Sequence, residues 1–332
     1  MEAEEFRLVR EALRAFAADH RCTSADTTPA RRAAAQKALD GLGLGELRRG
    51  GGAQPLASAQ ECALLAEEYG RQPLTTSFLG TGLLGPEMLR LVEAGGQDVA
   101  YEGTSTIALA RDLRFAGAAA DGERLAWDAE GADGALCVDG DGTVRVLALG
   151  DPAPTTDLLR TVRVARVDGS RVVGRLTTEH MTAWQAWALV MVSSELVGAA
   201  GSFVEQSTAY ARDRVQYGRP IGSYQAVQHL LADATVAVEA CVSATRYAAW
   251  CLDHATPDAA LTAARVAKAE VDVSALEAMY AAMQVFGGIA QTWEHIAHLY
   301  LRRVRVGATL LTGTAQLLSA LALPDPEPLE KA

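Results

Sequence analysis

The sequence predicts a mainly α-helical protein with a small central β domain, ordered as N-terminal helical domain, compact β domain and C-terminal four-helix bundle. Three observations carry that expectation. Apolar residues recur at threes and fours from Glu2 to about Gly96, the pattern of helices with one core-facing side. From about Thr104 to Arg175 this gives way to short apolar runs between Asp-Gly and Gly-Asp turns. From about Thr182 to Leu323 long apolar stripes return, as a bundle with short connections requires. The expected domains are residues 1–103, 104–178 and 179–323, with a flexible tail at 324–332.

The elements follow in order. Phe6, Val9, Leu13 and Phe16 place one apolar face on a first helix. Ala57 to Tyr69 and Thr81 to Glu93 read the same way, punctuated at Gly50 to Gly52 and at Pro73. The β region shows three apolar runs: Thr106 to Ala110, Ala135 to Asp139 and Val144 to Gly150. Asp121-Gly122, Asp133-Gly134, Asp141-Gly142 and Asp168-Gly169 are turn signals between them, and the region is expected to close as a barrel or sandwich. The most apolar stretch, Met181 to Val192, is too short to cross a bilayer and reads as a buried central helix. Stripes follow over Gln225 to Leu252, Pro257 to Phe286 and Trp293 to Leu323, with Gly287-Gly288 ending one helix. The acidic, proline-rich end PDPEPLEKA is expected to fray.

Composition narrows the function. The 332 residues suffice for two or three domains, and 49% hydrophobic with 21% charged residues is ordinary for a soluble globular protein. A net charge of −11 argues against nucleic acid, whose phosphates demand basic surface. It leaves room for a small anionic ligand, which needs only a local basic patch. Cys22, Cys62, Cys137, Cys241 and Cys251 form no CxxC pair and are expected to be reduced thiols in the cytoplasm. The acidic, amphipathic start lacks the order of a signal peptide, so neither export nor a membrane is expected. His295 and His298 lie three apart, but no ligand cluster completes a metal site. GxSxG and Walker strings are absent.

Two strings carry more. RVQYGRPIGSYQAVQHLLAD runs from Arg214 to Asp233, and QVFGGIAQTWEHIAHLYLRR from Gln284 to Arg303. In this order and at this separation they resemble the flavin-embracing helical domain of acyl-CoA dehydrogenases. The resemblance is specific over Ser194 to Leu318; before Arg175 it rests on element order. It implies FAD as cofactor and α,β-dehydrogenation of an acyl-CoA, with a base and a flavin held on opposite faces of the substrate. Arg214 matches the arginine that contacts the FAD pyrophosphate of a neighbouring subunit, as a guanidinium fork suits phosphate oxygens. Gln216 and Tyr217 match a polar and an aromatic contact. Gln284, Gly287 and Gly288 match a glutamine and a glycine pair approaching the same cofactor, where absent Cβ atoms let backbone come close. Thr314 and Gln316 match two further FAD contacts. Each has a plainer reading: a solvated Arg214, a core ring at Tyr217, a helix end at Gly287-Gly288, an N-cap at Thr314. Phe286 stands where the family often has histidine.

The departures are as informative. The family's catalytic glutamate lies in a YEGT-like segment, which here reads LLTGT from Leu310 to Thr314. Thr312, or without a gap Leu311, occupies the base position, and the alternative position at the start of the domain falls on Ala188. No carboxylate occurs between Glu294 and Asp325, and TEP-like and GSD-like strings are missing from the β region. No catalytic residue is therefore expected. The resemblance implies a short subunit lending FAD contacts in trans to a homologous full-length partner that binds the acyl-CoA. It is similar to the α2β2 acyl-CoA dehydrogenases of actinobacterial sterol degradation, with a steroid or other bulky acyl chain as substrate. An electron-transfer flavoprotein or similar acceptor is implied likewise. Two alternatives stand beside it. One is an active homo-oligomer whose base is Glu195, in SSELVGAAGS, or Glu102, in the YEGT of Tyr101 to Thr104. The plainer role of Glu195 is a structural partner of an arginine or hydroxyl. The other is a scaffold that no longer binds FAD.

Overall fold

The computed structural model describes residues 3–49, 54–115 and 122–322. The tail expected at 324–332, the punctuation at Gly50 to Gly52 and the turn residue Asp121 lie outside the described residues.

Four helices open the chain: α1 (Ala3–His20), α2 (Pro29–Asp40), α3 (Ala59–Gly70) and α4 (Gly85–Ala94), the last entered through a π-helical turn at Leu79–Leu84. Local chemistry sets their starts. The Thr28 hydroxyl accepts from the Arg31 amide, with Pro29 in the first helical turn. Ser58 and Glu61 cap each other's backbone at α3. On α1, Leu13 and Phe16 are buried while Phe6 and Val9 lie half-buried at the rim of the expected apolar face.

The middle region is a closed five-stranded barrel, not a sandwich. Its strands are β1 (Ser105–Leu109), β2 (Glu123–Trp127), β3 (Gly134–Val138), β4 (Thr143–Pro152) and β5 (Arg163–Arg175), in the order β1-β2-β5-β4-β3. A parallel pairing of β1 with β3 closes it and leaves no open edge. The barrel is narrow because its own core is small: Ala108, Ala126, Ala135, Cys137, Leu147 and Ala165. Asp168-Gly169 does not join two strands. It sits inside β5, where Gly169 takes a φ of 79° and the register against β4 shifts.

The C-terminal region holds α5 (Thr178–Asp213), α6 (Gln225–His254), α7 (Pro257–Phe286), α8 (Ala297–Gly307) and α9 (Thr314–Leu321), with a hairpin of β6 (Val215–Gln216) and β7 (Arg219–Pro220) between α5 and α6. The helix α5 is the axis of the molecule, packing against α3, α6, α7 and α8. Both α5 and α7 are long and apolar enough to cross a membrane by length and composition. The most apolar window of α5 is 94% buried inside the protein, which marks a core helix; that of α7 is 39% buried.

A buried charge cluster ties the three regions together. Arg160, in the link between β4 and β5, bonds Asp128 Oδ1 at 2.7 Å and pairs with Glu195 of α5. Arg303 of α8 donates to Asp157 Oδ2 at 3.2 Å and to the Leu74 carbonyl at 2.9 Å, and lies 3.4 Å from Glu195 Oε1. The Arg160 guanidinium also faces the rings of Trp127 and Tyr69, at 5.1 and 5.7 Å from their centroids.

Candidate cofactor-facing site

The hairpin β6–β7 turns on Tyr217 and Gly218, both at positive φ (50° and 79°), the geometry of a type I′ turn. Glycine takes this conformation freely, whereas a tyrosine is strained there. Tyr217 is 91% exposed in this turn, so the core-ring reading of Tyr217 does not hold. Arg214 and Gln216 are exposed beside it. Among the described residues Arg214 makes no ion pair, so its guanidinium is available to an anion. The hairpin is braced rather than loose. The Ile221 amide donates to the Arg214 carbonyl at 2.8 Å, the Tyr224 hydroxyl donates to the Gln216 carbonyl at 3.0 Å, and Arg219 stacks on Tyr224 at 4.0 Å.

The end of α7 meets this hairpin. Val285 packs with Ala211 of α5 and Leu231 of α6, with Ile221 and Val227 against them. Phe286 packs in tilted pairs with Tyr210 at 4.8 Å and Phe203 at 5.3 Å, with His295 edge-on at 4.8 Å. A ring at Phe286 therefore anchors the corner that follows it. Gly287 caps α7 at φ 68°, ψ −145°, a region essentially restricted to glycine. Nothing lies within 4 Å of where a Cβ would sit on Gly287 or on Gly288. Gln284 and Gly288 are exposed on the same corner. An extended phosphate-bearing group fits here: an unpaired guanidinium, an exposed ring and open glycine backbone gathered at one end of the bundle.

Thr314 and Gln316 lie apart from these six. Gly313 precedes α9, and the Thr314 hydroxyl reaches Asp272 Oδ2 of α7 at 3.4 Å instead of capping its own helix. Asp272 is twelve residues before Gln284, about 18 Å along the helix. Gln316 Oε1 accepts from the Gly313 amide at 3.1 Å and from the Thr312 hydroxyl at 3.2 Å. The LLTGT turn is itself tied to the barrel. The Leu311 amide donates to the Leu113 carbonyl at 2.8 Å and the Phe115 amide to the Leu311 carbonyl at 2.9 Å. Leu113 and Leu311 both hold positive φ, 61° and 72°, at this bridge. The Leu311 backbone is thus paired with the chain's own loop at Leu113 to Phe115.

The sequence reading missed a pair beside that turn. Lys268 and Asp272, one turn apart on α7, form an ion pair with both side chains fully enclosed. Burial pushes the Asp272 carboxyl up to about 6 against the opposing pull of Lys268, and burial pushes Lys268 down. Helical i,i+4 pairs of this type are usually solvated, so spacing alone did not single it out.

A family model for the C-terminal domain of acyl-CoA dehydrogenases matches residues 185–321. The chain is 32% identical over 287 residues to the acyl-CoA dehydrogenase IpdE2 of Mycobacterium tuberculosis, covering 82% of this chain and 79% of that one. The chain belongs to the acyl-CoA dehydrogenase family. Its fold agrees. The ChsE4-ChsE5 complex from Mycobacterium tuberculosis superposes with a TM-score of 0.73 at 18% identity, over 97% of each chain. A variant of the Tcur3481-Tcur3483 steroid ACAD gives 0.72 at 22%, over 96% of each.

Of the two alternative carboxylates, one is buried and one is exposed. Glu195 is 2% exposed and locked between Arg160 and Arg303, the structural pairing that is its plainer role. Glu102 is exposed at the rim of a 470 Å³ cavity between the N-terminal helices and the barrel, lined by Asp40, Glu46, Arg49 and Glu93. None of the eight cofactor-matching residues lines that cavity. They are equally absent from a second, more apolar cavity of 400 Å³ between the barrel, α4 and α5, which Phe115 and Trp184 line.

Proposed function

We propose that this chain is the flavin-completing subunit of an FAD-dependent acyl-CoA dehydrogenase and lacks the base itself. The observation that carries the reading is the exposed hairpin: Arg214, Gln216 and Tyr217 face solvent at the end of the bundle, outside every cavity described. A group bound there would lie on the surface, open to another subunit that brings it. Arg214 would pair with its pyrophosphate, Tyr217 would pack on it, and Gln284, Gly287 and Gly288 would line its path. Thr314 and Gln316 are proposed as a separate, lesser contact beside the LLTGT turn. FAD supplies hydride acceptance when bound; this chain contributes binding and position. The partner is a full-length homologue carrying the base and the acyl-CoA site, in an α2β2 assembly placed in the cytoplasm. The five cysteines form no disulfide, which accords with that compartment. The steroid ACAD Tcur3481-Tcur3483 of the same fold supports a steroid or similarly bulky acyl-CoA, and the ChsE4-ChsE5 complex supports a second subunit. An electron-transfer flavoprotein or similar acceptor is proposed from the family resemblance.

The test is flavin stoichiometry by visible absorbance, for the chain alone and co-expressed in turn with each full-length acyl-CoA dehydrogenase of the same genome. Little flavin alone and one FAD per two chains in a complex is expected. Arg214→Ala should lower FAD affinity of that complex by about tenfold or more, as loss of a charge-assisted phosphate contact does. One FAD per chain in the protein alone would overturn the reading.

A further inference from the structure

One guanidinium in the barrel has nothing to balance it. Arg124 lies on β2, where strand alternation puts it on the same face as Ala126. Ala126 belongs to the barrel's own core, with Ala108, Ala135, Cys137, Leu147 and Ala165. The register sets Arg124 directly across from Ala165 on β5, and Ala165 across from Leu149 on β4. The side chain is therefore turned inward among small apolar residues, and Arg124 is only 7% exposed. Its Nε is enclosed without a hydrogen-bond partner, and among the described residues Arg124 makes no ion pair.

The carboxylates on and beside the neighbouring strands do not serve it. Glu123, the preceding residue, faces the other way and pairs with Arg111. Asp139, just past the end of β3, is held by Arg145 at 2.8 Å. Asp128 is bound to Arg160, and Glu130 accepts from Thr161 Oγ1. Asp168 lies beyond the last pair of β5 with β2, exposed beside Gly169. Burial pushes the Cys137 thiol up to about 11, with Asp139 adding to the rise and Arg124 and Arg145 opposing it. That thiol is neutral and supplies no counter-charge. A lysine could give up its proton here, but a guanidinium does not. Burying an unmatched charge is strongly unfavourable, so the position favours a bound anion.

Charge and shape narrow the choice. Arg145 and Asp139 cancel, which leaves one positive charge to match. The end of β1, the end of β3 and the start of β2 lie together, because β1 and β3 run parallel and β2 runs against them. Ala108 and Cys137 at this end also line the 400 Å³ cavity, which gives an approach. A planar, singly charged carboxylate matches the guanidinium fork. The methyl groups of Ala108, Ala126 and Ala165 favour an apolar body over a hydrated ion.

We infer that the mouth of the barrel binds a small free carboxylic acid, with its carboxylate on Arg124 and a short apolar chain against the alanines. A thioester carries no such charge, so this ligand is distinct from an acyl-CoA. The site is independent of the shared-flavin reading, since Arg124 is none of the eight cofactor-matching residues.

The test is calorimetric titration of the chain with sodium acetate, butyrate and hexanoate at neutral pH and constant ionic strength, with melting temperature as a second readout. Butyrate or hexanoate should bind one to a chain and raise the melting temperature. Arg124→Met should lose both responses, yet melt no lower than the native chain in ligand-free buffer, because an apolar side chain there needs no counter-ion. Arg124→Lys keeps the charge without the fork and should bind about tenfold more weakly; it carries the test if Arg124→Met does not fold. An equal response to chloride, or a stronger one to inorganic phosphate, would overturn the choice of a carboxylic acid. No response to any of the acids, or a response unchanged in both variants, would overturn the site. Asp121, three residues before Arg124, lies outside the described residues. If Asp121→Asn lowers the melting temperature of the native chain and not that of Arg124→Met, the counter-charge is the chain's own and the inference fails.

Discussion

Lys268 and Asp272 show how much one helical turn can conceal. Both side chains are withdrawn from solvent, and each is the other's main compensation. Removing one leaves an unpaired buried charge, so Lys268→Met or Asp272→Leu alone should destabilise the chain by about 3–5 kcal/mol. The double replacement should be close to neutral or stabilising, measured by denaturant unfolding. The pH dependence has a definite sign. Asp272 titrates near 3.8 when unexceptional and at about 6 in the folded chain. Between those values the folded chain holds more protons than the unfolded one, so this group's contribution to stability falls as pH rises from 4 to 6. The double variant should therefore gain on the native chain across that window; a flat difference would refute the placement of Asp272. Neither residue was legible beforehand, because Lys and Asp at i,i+4 look alike whether the helix face is wet or dry.

At the scale of elements, the end of α7 separates what the fold needs from what the cofactor needs. Gly287 has a backbone conformation that other residues resist, whereas Gly288 carries no such constraint and no close neighbour. Gly287→Ala should lower stability by about 1–3 kcal/mol in the chain alone. Gly288→Ala should leave the melting temperature unchanged and reduce flavin retention in the assembled complex. If Gly288→Ala retains flavin fully, the close approach of cofactor to this corner is wrong. Legibility differed element by element for similarly physical reasons. The stripe from Pro257 to Phe286 coincides with α7 because threonine capping, proline at the first turn and glycine at the end all agree. The strands β2 and β5 escaped: ERLAW is short and charged, and the Asp-Gly inside β5 mimics a turn. The hairpin β6–β7, two residues a side, is too short for any periodicity, and Arg214, Gln216 and Tyr217 came forward only through the resemblance of their whole string.

Across the whole molecule, Asp128, Asp157, Arg160, Glu195 and Arg303 join barrel, central helix and bundle at one buried point. No local pattern announces such a cluster, since its members are drawn from positions up to 175 residues apart, from Asp128 to Arg303. Its role is architectural. Arg160→Met should cost about 3–5 kcal/mol of stability, because three carboxylates would be left with one arginine. Glu195→Gln should lower the melting temperature yet leave kcat of an assembled complex within about twofold of the native value, measured well below that temperature. A loss of several orders of magnitude would instead make Glu195 the base.

The position of Arg303 has a consequence for synthesis. A chain emerging from the ribosome presents Asp128, Asp157, Arg160 and Glu195 long before the second arginine appears. Until α8 is released three carboxylates face one arginine, and closing the barrel and central helix around them buries one more uncompensated negative charge than the finished cluster carries. Completion of the fold is thereby deferred until α8 has left the ribosome. A nascent chain arrested before Arg303 should remain a client of chaperones, although nearly all of its secondary structure has already been made.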